Sequence, residues 1–255
     1  MDVKILIAAH KPYWMPEDPV YLPIHVGSAG KASIGFRRDD EGENISTRNA
    51  NWCELTGLYW AWKNGWRDEG RTQRTSAVGL VHYRRHFRGK NGALSVGEVE
   101  GLLESADAIM PKPRNYYVET NYSQYVHAHH PEDLDMTRAI LKERTPEYVP
   151  FWDASMKSTR GHRFNMFIMK RELADRYCAW LFDILFELER RLDISRYSKY
   201  DARVFGFVAE RLLDSWLAKN GVKCVEVPVW NLESQHWGRK IWNFVLRKLK
   251  LGGRQ

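Results

Sequence analysis

The chain carries short apolar runs, too brief for helices, spaced by longer amphipathic stretches. Val3 to Ala9, Val78 to Val81, Ala108 to Met110, Met166 to Met169 and Val222 to Val227 each read as a buried strand. Residues 95–105, 131–144, 171–191 and 202–218 read as helices, the third with Tyr177, Trp180, Leu181, Ile184, Leu185 and Leu188 at helical spacing. This alternation predicts an α/β fold with a mostly parallel central sheet flanked by helices. With no internal repeat or low-complexity linker, residues 1–237 are expected to form one domain.

The connecting segments read as loops. Residues 12–23 hold Pro12, Pro16, Pro19 and Pro23, and predict irregular backbone. Residues 37–49 hold Asp39, Asp40, Glu41 and Glu43 and predict a surface loop, as do residues 66–76 and 145–163. A helix is expected from Asn51, capped by Asn51 with Glu54 three residues on, and stopped at Gly65. On it Tyr59 and Trp62 share a face suited to core packing, whereas Trp60 points elsewhere and is a candidate to face a sugar.

The formal net charge of +7 is concentrated at one end. Arg239, Lys240, Arg247, Lys248, Lys250 and Arg254 fall within residues 238–255, which contain no Asp or Glu. The rest is nearly neutral, which argues against a nucleic-acid binder with a basic face. Ile241, Trp242, Val245, Leu246 and Leu249 recur at helical intervals in the same tail, predicting a basic amphipathic helix. Such a helix suits an anionic membrane surface, or packs back on the core. Cys53, Cys178 and Cys224 fit no ligand spacing and predict reduced thiols in a cytoplasmic protein. No signal-peptide pattern and no run long enough to span a bilayer is present in the sequence.

The strand ending at Val81 runs into His82, Tyr83, Arg84, Arg85, His86 and Arg88 without an acidic residue. Ligands of open α/β sheets gather outside the carboxyl ends of strands. Arginine suits phosphate there, because its planar fork donates two parallel hydrogen bonds. The stretch fits a diphosphate site, such as one for a sugar nucleotide; it equally fits a strand end whose arginines bridge to nearby carboxylates.

Several segments carry a family likeness: Ala9 to Tyr13, Asp39 through Asn64, Gly79 to Arg85, Asn165 to Met169 and Arg203 to Leu213. Over residues 3–230 the chain resembles a bacterial capsular and exopolysaccharide glycosyltransferase family, whose domain was long known only as one of unknown function. The resemblance implies a GT-A-like fold and a UDP-sugar donor, with galactofuranose the leading sugar. It also implies a lipid-linked oligosaccharide acceptor at the inner face of the cytoplasmic membrane.

GT-A enzymes commonly hold a divalent metal with Asp-x-Asp after a central strand. Here His82, Tyr83, Arg84 and Arg85 occupy that place, so these cations are expected to stabilise the leaving diphosphate without a required cofactor. Mg²⁺ or Mn²⁺ on Asp39, Asp40, Glu41 or Glu43 is the alternative. His10, Lys11 and Tyr13 follow the first strand and are donor-site candidates, with Asn44 and Asn49 for the base or ribose. An inverting transferase needs a general base. Glu210, in an otherwise apolar helix, is the first candidate, and Asp133 the second. His127, His129 and His130 lack zinc-site spacing. His129, His130, Asn165 and Trp237 are acceptor candidates, residues 114–130 reading as a sugar-facing loop. A competing reading is a non-catalytic saccharide- or lipid-binding module of a polysaccharide assembly complex.

Overall fold

In a computed structural model, which describes residues 1–66 and 75–233, the apolar runs become strands of one sheet. In chain order the first part comprises β1 (Val3–Ala9), β2 (Tyr21–His25), β3 (Arg37–Arg38), α1 (Asn49–Trp52), α2 (Leu55–Lys63), β4 (Ala77–His82), β5 (Arg85–Gly89) and β6 (Gly92–Ala93). Then come α3 (Val96–Ser105), β7 (Ala108–Pro111), β8 (Arg114–Asn115), α4 (Asn121–Val126), α5 (Pro131–Arg144), α6 (Val149–Lys157) and β9 (Arg160–Gly161). The last part holds β10 (Phe167–Lys170), α7 (Arg171–Arg191), α8 (Val204–Lys219), β11 (Cys224–Val227) and β12 (Val229–Asn231).

The main sheet runs β11-β7-β10-β4-β1-β2-β3. Its neighbours pair in parallel except around β10, which is antiparallel to both β4 and β7. Both faces are covered, so alternate side chains of one strand enter different cores. Leu6, Ala8, Val78 and Leu80 join the helices α2, α7 and α8 on one side. Ile5, Ile7, Ala77 and Val81 join Val99 and Leu103 of α3 on the other. At Gly79 a Cβ would lie 2.7 Å from the Phe167 carbonyl oxygen, so only glycine lets β10 pair this closely.

Several expected loops are ordered elements. Residues 145–163 contain α6 and β9, because Pro146 and Pro150 sit in first turns where no amide donor is needed. β2 forms despite Pro23, since β3 pairs only with Ile24 and His25 and leaves Pro23 on an open edge. The expected sugar-facing loop contains α4, capped by Thr120, and β8. The helix expected from Asn51 is two helices broken at Cys53, whose φ is 53°. Asn51 caps neither; it donates to the Ala202 carbonyl at 2.7 Å. Gly65 and Gly221 do end α2 and α8, at φ 78° and 59°. Trp60 is buried and donates to the Glu41 carbonyl, so it faces no sugar.

Candidate functional site

The chain leaves β1 toward β2 and β3 on one side and returns to β4 on the other. The switch point therefore lies between the carboxyl ends of β1 and β4, where Ala8 is level with His82. A cleft of about 390 Å³ opens there. The strand ends supply His10, His82, Tyr83, Arg84 and Arg85. The helical wall supplies Asn49, Cys53, Glu54, Arg203 and Glu210, with Phe164 between.

Arg85 is the most exacting of these groups. Its guanidinium carbon lies 4.6 Å from the Phe164 ring centre, and its buried Nε has no hydrogen-bond partner among the described residues. Among the described residues it makes no ion pair. Burial, then the charge of Arg84, disfavours its cation. A half-buried cation without an anion is costly, and a phosphate would offset that cost. Arg84 lies over Tyr83 and pairs with Glu233 at 3.0 Å, so here the strand-end arginine does bridge to a carboxylate. His10 sits edge-on to Tyr83; burial, then Arg84, lowers its proton affinity.

Phe164 and Asn165 form a turn with φ of 79° and 53°, rare for residues with side chains. That turn ties the site together. The Phe164 amide donates to Glu210 at 3.0 Å, and its carbonyl contacts His82 Nε2. Asn165 donates to Glu54 at 2.7 Å and to the Gly206 carbonyl at 3.0 Å. Glu210 also pairs with Arg211 at 3.1 Å, not with Arg203. Arg203 instead reaches the Cys53 sulfur at 3.1 Å, while burial raises that thiol to about 11 and keeps it protonated.

The acidic segment at 39–43 is a loop in which Glu41, Gly42 and Glu43 are exposed as expected, but Asp39 is not solvated. Asp39 is fully buried and accepts from the amides of Gly27 and Ser28 and the hydroxyls of Ser28, Ser46 and Thr56. The polar composition that suggested exposure is an internal knot that closes the strand-to-helix connection. Gly27, at φ 63°, makes room for Asn49; a Cβ there would lie 2.4 Å from Asn49 Cβ. Asp40 is engaged by Arg38 and Ser28, and Glu43 by Tyr59 and Lys63. Among the described residues, no group of three or more His, Cys, Asp or Glu is placed to hold a metal ion.

Thus His10, Asn49, His82, Tyr83, Arg84, Arg85 and Glu210, scattered in sequence, converge on one cleft. Lys11 and Tyr13 flank it against Tyr83. Asn44 bonds the backbone of its own loop. Asp133 lines no part of the cleft; it is buried and accepts from Tyr125 at 2.6 Å and Tyr197 at 2.7 Å. His129 bonds Asp201 and packs on Phe207, and His130 stacks on Tyr197. Trp237 and the expected tail helix lie outside the described residues. Sequence reasoning missed Glu54, Arg203 and Phe164 as cleft residues. Glu54 was hidden by its resemblance to a capping partner; the place of both Glu54 and Arg203 in family-like segments is the signal that could have found them.

Fold and site together define a mixed α/β protein with a cleft lined by arginines, histidines and two glutamates at its topological switch point. Residues 4–221 match the domain of unknown function DUF4422, and the chain belongs to that family. No curated protein matches it. Among solved structures it is similar to the apo structure of WbbM, a bifunctional glycosyltransferase, at 28% identity and a TM-score of 0.82. The match covers 92% of this chain and 46% of WbbM, so the chain spans under half of that protein's length. Among the described residues no helix is long and apolar enough to cross a membrane.

Proposed function

We propose that the protein is a GT-A-like glycosyltransferase that moves a hexose from a UDP-sugar to a saccharide acceptor. The observation that carries this is Arg85, a half-buried cation in the cleft beyond β1 and β4 that makes no ion pair among the described residues. Likeness to a bifunctional glycosyltransferase over most of the chain supports the class. The donor diphosphate lies against Arg85, with Arg84 and His82 beside it, and the acceptor hydroxyl attacks the anomeric carbon as UDP leaves. Inversion with one base is the simplest scheme.

Transfer proceeds without a required metal. Arg84 and Arg85 neutralise the departing diphosphate, and the Asp39 and Asp40 carboxylates are already occupied by internal donors. The sequence resemblance to exopolysaccharide enzymes supports galactofuranose as the sugar and a lipid-linked oligosaccharide as the acceptor. The basic, apolar-striped sequence of residues 238–255 supports a peripheral location at the inner face of the cytoplasmic membrane. A donor screen tests the reading, with UDP release measured for UDP-galactofuranose, UDP-galactose, UDP-glucose and UDP-N-acetylglucosamine. Release from at least one is expected; UDP binding without release from any favours a non-catalytic module.

A further inference from the structure

The cleft holds two carboxylates, and their surroundings differ. Both Glu210 oxygens are engaged: Oε1 accepts the Phe164 amide at 3.0 Å, and Oε2 accepts from Arg211 at 3.1 Å. Arg211 is itself buried and is further held by Gln124 and the Phe207 carbonyl. Removing Glu210 would strand this arginine and loosen the Phe164 turn. Its work is to hold the site's frame.

Glu54 is placed differently. It lines the cleft and accepts one hydrogen bond, on Oε1 from Asn165. Among the described residues its Oε2 accepts none. The backbone is bent to present it: Cys53, just before it, has φ 53° and ψ −132°, and its partner Asn165 has φ 53°. Asn165 is buried, and its amide nitrogen is fixed by both Glu54 and the Gly206 carbonyl. Strain of this kind persists where the surroundings enforce it, and it gathers at functional sites. Glu54 stands on the helical wall, whereas Arg84 and Arg85 belong to the strand ends. A displacement needs that division, with the leaving group stabilised on one side and the attacking hydroxyl deprotonated on the other.

We infer that Glu54 is the general base of the transfer and that Asn165 positions it; this rests on the glycosyltransferase reading above. The Glu54 carboxylate takes the proton of the acceptor hydroxyl as that oxygen bonds to the anomeric carbon. The bond from that carbon to the diphosphate breaks, and its electron pair leaves with UDP. Atoms and charge balance with no further reactant.

The test compares full-length protein with Glu54→Gln, Glu210→Gln and Asn165→Ala, using UDP release from the active donor with water as acceptor, and UDP binding by calorimetry. Glu54→Gln keeps an oxygen for Asn165, so the fold and UDP affinity are expected to stay within about threefold while kcat falls roughly 100-fold or more. Glu210→Gln is expected to lower the melting temperature. Asn165→Ala is expected to lower kcat while leaving UDP affinity within about threefold, the split expected of a residue that orients the base and does not hold the nucleotide. If Glu54→Gln keeps kcat within threefold while the unsubstituted protein releases UDP, the inference fails alone. If the unsubstituted protein releases UDP from no donor, the transferase reading fails and takes the inference with it.

Discussion

The guanidinium of Arg85 rests on the ring of Phe164, 4.6 Å from its centre, and has no carboxylate partner among the described residues. The ring holds the cation in place without neutralising it. Arg85→Ala is expected to weaken UDP binding roughly 10- to 100-fold, the range for losing a charge-assisted hydrogen bond. Arg85→Lys is expected to recover only part of this, because an ammonium cannot reproduce the planar fork. Calorimetric titration with UDP reads both; affinity within twofold of the original for Arg85→Ala would move the diphosphate elsewhere.

If fixed cations replace the metal, EDTA leaves UDP release unchanged, and added Mg²⁺ or Mn²⁺ changes it less than twofold. Abolition by EDTA with recovery on Mn²⁺ would return the carboxylates of residues 39–43 to the donor site.

Asp39 gathers two amides and three hydroxyls inside the protein. Asp39→Ala leaves the Gly27 and Ser28 amides and the Ser46 hydroxyl without this acceptor, while the Ser28 and Thr56 hydroxyls keep Asp40 and the Cys53 carbonyl, and it is expected to cost about 3 kcal/mol or more of stability. Asn49 donates to Thr56, an Asp39 partner, at 3.1 Å, so the cleft wall loosens as well. Denaturant unfolding measures the first effect. A midpoint unchanged from the original protein would show that the knot contributes nothing.

His86 is fully buried among Trp14, Tyr21 and Trp230, and neither ring nitrogen has a partner among the described residues. Burial, then His82, lowers its pKa to about 4 from 6.5. Below about 6.5 the unfolded chain takes a proton that the folded chain refuses, so stability declines as pH falls toward about 4. The loss from this group reaches about 3 kcal/mol at most. His86→Leu is expected to flatten the decline between pH 7 and pH 4.5. Parallel urea curves at the two pH values decide it, and an equal decline in both proteins rules the histidine out.

The basic tail is tested by sedimentation with liposomes containing anionic phosphatidylglycerol. Full-length protein is expected to pellet with them, and a version ending at Gly238 to remain in the supernatant. Equal binding by both removes the tail from membrane attachment.

Much of the architecture was legible because buried strands and amphipathic helices carry their periodicity in the local sequence. β1, β4, β7, β10 and β11 all fall on the apolar runs, and α3, α5, α7 and α8 on the expected helices. The cationic strand end was legible too, since Arg84 and Arg85 directly follow an apolar run. Errors arose where local composition is ambiguous. Pro146 and Pro150 look like breakers but open helical turns. Asp39 looks solvated but is buried, and Glu54 looks like a cap but lines the cleft.

What the sequence determined by itself was the α/β alternation and the placing of positive charge at a strand's carboxyl end, because both depend on neighbours a few positions apart. The tertiary structure alone decided which carboxylate has one oxygen engaged and which has both. Glu54 meets Asn165 and Glu210 meets Phe164 across separations of 111 and 46 residues. Contacts that distant are set by how the sheet and helices pack, and no local pattern carries them.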